Sequence, residues 1–261
     1  MKILLTNDDG IYAEGLWALY RRFADKHSVI VVAPERERSA VGHGITLDAP
    51  FRAEKVEVNN GCAGYAVSGT PVDCIKLGIL EILGSKPDMV ISGINPGANV
   101  GVNINYSGTV SAAKEAALYG IPAIAVSMMG PEVTHYDDAA RFVELLVNHV
   151  AKKGLPFGTL LNVNMPDRPL KEVSGVRISR LSIAFFPEYI EKRTDPRNRT
   201  YYWHGCDYMS SDNDLDFDET ALYQNYISIT PVKCDMTDYS LLEDMKDWDI
   251  DQELSRVRLS E

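Results

Sequence analysis

Apolar residues along this chain come in short runs divided by polar, glycine-bearing stretches. Ile3 to Leu5 is the first run, too short and too β-favouring for a helix. It stops at the turn signal Asn7-Asp8-Asp9-Gly10, and apolar Leu16, Leu19, Tyr20 and Phe23 then recur at near-helical spacing. Val29 to Ala33 is a second, near-continuous run, the pattern of a strand covered on both faces. The polar segment Glu35 to Gly44 reads as a loop. Alternation over Ile45 to Phe51, and again over Ala53 to Val58, predicts a hairpin-like excursion, and Tyr65 to Val67 a further strand. Thr70-Pro71-Val72-Asp73 opens a helix, with Thr70 as N-cap and Pro71 in the first helical position. Ile75, Ile79, Ile82 and Leu83 carry it to Gly84.

Met89 to Ser92, Pro122 to Ser127 and Thr159 to Val163 read as further strands, with helices over Val110 to Tyr119 and from Asp137 to Lys152. Strand and helix thus alternate to residue 166, as in an α/β, doubly wound, mostly parallel sheet of Rossmann-like type. We therefore expect a core over residues 1–166 that carries the site, and a β-rich C-terminal extension over 167–261. In the extension, Val176 to Ile183 and Tyr226 to Ile229 look like strands, and Asp238 to Trp248 like a short helix before an acidic tail. Glu188 to Glu219 is charged and aromatic without a clean period, and reads as an arm that packs on a second subunit. Within it, the acidic run Asp212 to Glu219 reads as a solvated loop or, alternatively, a second metal site.

Of the 261 residues, 26 are Lys or Arg and 37 are Asp or Glu, a formal charge of −11. That argues against duplex nucleic acid as a partner. It leaves room for a small anion held by one cation and a few amides. The cysteines Cys62, Cys74, Cys206 and Cys234 form no Cys-x-x-Cys pair, which removes structural-zinc and thioredoxin-like readings. No secretion leader stands at Met1 and no apolar run is long enough for a bilayer, so we expect a cytoplasmic protein with reduced thiols and no membrane contact.

Three loops leave the carboxyl ends of predicted strands, where open α/β sheets bind ligands: Asn7 to Gly10, Arg38 to Gly44, and Asn95 to Thr109. They offer the Asp8 and Asp9 carboxylates, the Ser39 hydroxyl and the Asn95 amide oxygen. Adjacent carboxylates repel unless a cation sits between them. All four donors are hard oxygens, which favours Mg²⁺, Mn²⁺ or Ca²⁺ over zinc. A helix-capping Asp beside a solvated Asp is the plainer alternative. The stretch Gly93 to Asn105 holds three Gly and four Asn in thirteen positions, far from ordinary turn composition. Ser107-Gly108-Thr109, at a helix start, suits a phosphate and equally an ordinary N-cap. Beside a dicarboxylate loop, phosphoryl chemistry is the simplest account, with a metal polarising a phosphate oxygen and activating water. The competitors each lack a part. There is no Gly-x-Gly-x-x-Gly for a dinucleotide fold and no Walker loop. Asp8-Asp9 lacks the Asp-x-Asp spacing of haloacid-dehalogenase-like phosphatases. Asn95 stands where a receiver domain needs its phosphate-accepting Asp.

These motifs together resemble the SurE-type 5′/3′-nucleotidases, the survival-protein-E phosphatases. The resemblance rests on Met1 to Gly10, Ala33-Pro34 with Arg38-Ser39-Ala40, Ser68 to Cys74, Ser92 to Asn99, Tyr106 to Ala113 and Ser228 to Pro231, in that order. It covers most of the chain, and Tyr201 to Asp218 matches least. It implies a divalent metal held by Asp8, Asp9, Ser39 and Asn95, and hydrolysis of nucleoside monophosphates, in some members also of short polyphosphate. It implies a homodimer or homotetramer with exchanged C-terminal arms. We expect a metal-dependent phosphomonoesterase in which Asp8 and Asp9 are also the catalytic groups. Asn99, Ser107, Gly108 and Thr109 are expected to bind the phosphate and its developing charge. The alternatives are a polyphosphate-trimming phosphatase and a nucleotide or metal sensor without turnover. His43, in the Ser39 loop, reads as a loop residue or as an acid–base group.

Overall fold

The computed structural model describes residues 1–58, 61–130, 132–183, 188–206 and 214–258. Its strands are β1 (Lys2–Thr6), β2 (Ser28–Pro34), β3 (Ala53–Val58), β4 (Cys62–Val67), β5 (Met89–Pro96), β6 (Ala123–Met129), β7 (Thr159–Pro166), β8 (Gly175–Ile178), β9 (Glu188–Thr194), β10 (Thr200–Cys206) and β11 (Tyr226–Lys233). Its helices are α1 (Glu14–Phe23), α2 (Pro71–Leu77), α3 (Gly108–Leu118), α4 (Tyr136–Lys153), α5 (Asp218–Tyr223), α6 (Tyr239–Met245) and α7 (Ile250–Arg258).

The apolar runs form one nine-stranded sheet in the order β3-β4-β2-β1-β5-β6-β7-β11-β8. Successive side chains on a strand point to opposite faces, so each run feeds two cores. Ile3 and Leu5 join one core and Leu4 the other; Val31 and Ala33 part from Val32, and Met89 and Ile91 from Val90, in the same way. Helices α1 and α4 cover the first face through Leu16, Leu19, Phe23, Val143 and Val147. Helices α2 and α3 cover the second through Ile75, Val110, Ala113 and Ala116. The sheet is doubly wound as expected. Strand β1, inside the sheet, pairs in parallel with β2 on one side and β5 on the other. The chain order therefore reverses at β1, and the crevice at its carboxyl end is the topological switch point where such sheets bind ligands.

Several elements differ from expectation. Ile45 to Phe51 forms no strand; the partner of β3 is β4, paired antiparallel from Ala53↔Val67 to Val58↔Cys62. Thr46 instead bonds Asp73, hydroxyl to carboxylate at 2.6 Å, beside the Thr70–Asp73 capping box of α2. Strand β8 stops at Ile178, short of Ile183. The Glu188 to Glu219 stretch contains an antiparallel hairpin, β9 with β10, closed from Thr194↔Thr200. Tyr189, Ile190, Tyr202 and Trp203 of that hairpin are exposed, and a strand pair bare on both faces has no inside–outside alternation to read. The acidic run ends in helix α5, whose Asp218 and Glu219 are buried rather than solvated; Asp212 and Asn213 lie outside the described residues. Beyond Trp248, Ile250–Arg258 forms helix α7. The sheet also runs past residue 166: β11 pairs antiparallel with β7, and β8 parallel with β11.

Phe23 is fully buried at the end of α1. Phe23→Ala is expected to lower stability by about 3–5 kcal/mol, read as a reduced urea midpoint at unchanged slope. A loss below about 1 kcal/mol would mean that α1 does not seal this face.

Candidate metal and phosphate site

Beyond β1 the chain turns on Asn7. Its Nδ2 donates to the Gly10 carbonyl at 3.0 Å and its Oδ1 accepts from the Gly10 amide at 3.2 Å. This side-chain turn presents Asp8 and Asp9 at the sheet edge. The loop after β2 is pinned against it: the Arg38 amide donates to the Asp8 carbonyl at 2.7 Å, and the Ile11 amide to the Pro34 carbonyl at 2.8 Å. Ser39 arrives by that route. Asn95 comes from β5, whose register with β6 shifts between Ser92 and Asn95. Gly93 in that bulge has φ +138°, and a Cβ there would stand 2.4 Å from the Val126 carbonyl oxygen. Only glycine fits, and the bulge re-aims the strand end that carries Asn95.

Asp8, Asp9, Ser39, Asn95, Asn99 and Ser107 line one cleft of about 480 Å³, together with Glu37, Ala40, Pro96, Asn103 and Tyr106. Among the described residues the lining contains three carboxylates and no cationic side chain, and Asp9 Oδ2 is buried without a hydrogen-bond partner. Burial, and after it the charges of Asp8 and Glu37, push the Asp9 carboxyl up to about 8. Ser39 donates to Glu37 Oε1 at 2.5 Å, which leaves the serine lone pairs for another partner. Asn95 commits its amide nitrogen to the Gly97 carbonyl at 2.7 Å, which leaves Oδ1 as its available donor to a cation. Tyr136 stands near; burial first, then the Asp9 charge, lifts its hydroxyl to about 12.

Gly108 and Thr109 take a different place from the one expected. They do not line the cleft but stand behind Asp8. The Thr109 hydroxyl donates to Asp8 Oδ1, and the Thr109 and Gly108 amides also bond the carboxylate. The start of α3 thus grips a protein carboxylate, as helix N-termini grip anions. Burial still outweighs these bonds, so the Asp8 carboxyl is raised. A Cβ on Gly108 would stand 2.7 Å from Asp8 Cβ, so this approach requires glycine. Ser107 does line the cleft, while its Oγ caps α3 by accepting from the Val110 amide at 3.1 Å. Asn99 is clamped to the neighbouring strands: its amide donates to Asn164 Oδ1 at 2.8 Å and its Nδ2 to Ser127 Oγ at 2.7 Å.

An unpartnered buried carboxylate oxygen, a second carboxylate and neutral oxygen donors fit a hard divalent cation. Among the described residues no three His, Cys, Asp or Glu side chains gather as a metal cluster by themselves. The fit rests on two carboxylates supplemented by Ser39 and Asn95.

Sequence reasoning missed Glu37, Asn103 and Tyr106 as lining residues. Glu37 sits two places before Ser39, and the other two lie in or beside the asparagine-rich stretch, which were the available signals. It also missed Asp218, which is 0% exposed. Asp218 Oδ2 accepts from the Gly101 amide at 2.8 Å, and Oδ1 from the Ser182 amide at 3.1 Å, tying the extension to the site loop. His43 faces away from the metal cleft, 2.8 Å from Glu115 Oε2; Lys76 bonds the other oxygen of that buried carboxylate at 2.6 Å.

Comparison with known proteins finds chains similar to this one. A family model described as "Survival protein SurE" matches residues 3–187. A protein named 5′-nucleotidase SurE from Desulfatibacillum aliphaticivorans is 57% identical over 252 residues, covering 97% of this chain and 100% of its own length. Another of that name, from Heliobacterium modesticaldum, is 47% identical over 249 residues, with 95% and 92% covered. The crystal structure of the SurE protein from Aquifex aeolicus matches with a TM-score of 0.84 at 36% identity, over 95% of this chain and 100% of that one.

The Asp9 carboxyl sits above its ordinary 3.8 in the fold, so the folded state holds the extra proton. The stability this contributes is complete below the ordinary value and is lost as pH rises from 3.8 to about 8. In chelator, Asp9→Asn is therefore expected to melt increasingly above the wild type over that interval, by about 1–3 kcal/mol at its upper end. Mn²⁺ or Mg²⁺ should raise the wild-type melting temperature and leave that of Asp9→Asn nearly unmoved. Equal pH profiles for the two proteins would show that Asp9 is not under this strain. For Gly108→Ala, the displaced Asp8 should weaken divalent-cation binding about 10–100-fold in calorimetry; undiminished affinity would detach Gly108 from the site.

Proposed function

This chain belongs to the SurE family, and we propose on that premise that it is a metal-dependent phosphomonoesterase that converts 5′- and 3′-nucleoside monophosphates to nucleoside and phosphate. The observation that carries the reading is the cleft at the switch point, lined among the described residues by three carboxylates without a cationic side chain. An anionic phosphate has no cationic partner there until a cation joins the site.

Asp8, Asp9, Ser39 and Asn95 are the residues that hold the cation, with Mg²⁺ or Mn²⁺ as the working ions and Ca²⁺ as a further fit to the oxygen donors. When bound, it supplies Lewis-acid polarisation of a phosphoryl oxygen and of water. The chain's own groups do the rest. Thr109 and Gly108 fix the Asp8 carboxylate, so its orientation is set before substrate arrives. Of the two carboxylates that hold the cation, Asp9 also orients the attacking water and accepts its proton. Asn99 and Ser107 face the transferred phosphoryl group. The mechanism that this reading favours is direct in-line attack by water, without a covalent intermediate. Residues 1–166 carry these groups. Within 167–261, the exposed aromatic hairpin β9–β10 is the arm by which copies associate as a homodimer or homotetramer. Among the described residues no helix is long and apolar enough to cross a membrane. The resemblance to the family, rather than that absence, is the ground on which we place the enzyme in the cytoplasm.

Asp8→Asn is expected to keep the fold by circular dichroism and to lose phosphate release from nucleoside monophosphates at least about 100-fold at saturating metal. Wild-type release should stop on chelation and return with Mg²⁺ or Mn²⁺. Chelator-resistant release, or near-normal turnover by Asp8→Asn, overturns the assignment. Release from short polyphosphate alone would favour a polyphosphate-trimming enzyme, and no release from any phosphomonoester a sensor.

A further inference from the structure

A second cleft opens at the same edge of the sheet, one strand further on. It measures about 350 Å³ and lies between the loop after β5 and helix α5. Pro96, Val100, Met129, Leu222 and Tyr223 form much of its wall, and Glu219 is the acidic side chain in its lining. Pro96 lines the metal cleft as well, so the two spaces meet across a single residue. Their frame is the carboxyl ends of β5 and β6, which as neighbouring strands lie about 4.8 Å apart.

Glu219 is 6% exposed, and among the described residues its Oε1 has no hydrogen-bond partner. A buried acceptor left unpaired costs free energy. Support of the Gly101 loop does not account for it, because the neighbouring Asp218 carries that bond, and α5 takes no side-chain cap. Apolar walls with one well-placed polar group are the composition of a small-molecule site. A flat heteroaromatic ring satisfies the walls by dispersion, and ring or amino N–H groups on its edge satisfy a carboxyl oxygen.

We propose that this cleft receives the base of the nucleoside monophosphate whose phosphate lies against Asp8 and Asp9, with Glu219 accepting hydrogen bonds from the N–H edge of the base. The substrate then straddles Pro96, its ribose crossing from one cleft to the other. Glu219 is a specificity-determining residue that touches the base and not the reacting phosphorus. This rests on the phosphomonoesterase reading, and the two are separable by experiment.

Photolabelling of the wild-type protein with 2-azido- and 8-azido-adenosine monophosphate, followed by peptide mapping, reads the base position directly. Labels on residues 96–100, 129–130 or 219–223 are expected. Labels confined to Ala40, Asn103 or Tyr106 would put the base inside the metal cleft and overturn the proposal. Absence of specific label on the three segments, as when a second copy of the chain fills the cleft, overturns it too. Glu219→Leu removes the acceptor at similar volume. It should lower kcat/KM for nucleoside monophosphates, taken relative to p-nitrophenyl phosphate, at least about tenfold. Glu219→Gln, which keeps an acceptor oxygen, should fall between. An unchanged ratio in folded protein overturns the base site and leaves the phosphomonoesterase standing. A wild type that releases phosphate from neither substrate overturns both. Should Glu219→Leu fail to fold, the labelling pattern decides.

Discussion

Two carboxylates held side by side at the end of strand β1 are what the rest of this structure accommodates. Each is largely withdrawn from water, and burial raises both above the ordinary carboxylate range. The fold answers the two charges differently. Asp8 receives the start of α3, with the Thr109 hydroxyl and two amides turned onto it. Among the described residues Asp9 receives nothing at Oδ2. An arrangement of this kind survives because apolar burial on both faces of the sheet stabilises the domain independently of it. A divalent cation is the partner that reconciles the pair, and it would also turn a cleft that repels phosphate into one that attracts it.

The loops around this pair come from strands distant in sequence, and a network of buried polar groups sets their positions. Asn7 closes the first loop on itself, and the Arg38 amide ties the second to the Asp8 carbonyl. The third is held at Asn99, whose carbonyl also accepts from Asn162 and Asn164 at 2.8 and 2.9 Å. Asp218 reaches the same loop from the other end of the chain through Gly101. Satisfied networks of this kind define one arrangement more sharply than apolar contacts do, because each displaced partner leaves a buried group unpaired. The asparagine-rich composition of Gly93 to Asn105 follows from this use. Asn99 serves β6 and β7, Asn95 keeps an oxygen for the cleft, and Asn103 lines its wall.

Legibility in the sequence follows burial. Strands β1, β2, β5, β6 and β7 are covered on both faces and read as mainly apolar runs, β7 being interrupted by Asn162 and Asn164, while α1 and α4 are half-covered and show a helical stripe. The capping box at Thr70 and Asp73 is local chemistry and is readable from four residues. Hairpin β9–β10 is bare on both faces and leaves no period. The alternation over Ile45 to Phe51 imitates a strand, yet Thr46 is drawn to Asp73 instead. Asp218 and Glu219 look like solvent-facing members of an acidic run, because nothing within a few residues of them shows that Gly101 and Ser182 close over the first. In the site, Asp8, Asp9, Ser39, Asn95, Asn99 and Ser107 are recognisable as oxygen donors at strand exits. Glu37 and Tyr106 share the cleft, and only their nearness to Ser39 and to the asparagine-rich stretch points to them.

By itself the sequence determined the alternation of strand and helix, the crevice beside β1 as the place for chemistry, and the hard-oxygen character of the donors. These follow from period, turn residues and side-chain type, all of which act over a few residues. Only the tertiary structure decided that Gly108 and Thr109 serve Asp8 rather than facing the cleft, that Glu37 joins the pair of carboxylates, and that α5 folds back to bury Asp218 against Gly101. Each of those depends on which distant segments meet, and on how closely a backbone without a Cβ lets them approach. That is settled by the packing of the whole sheet and its helices, which no local pattern contains.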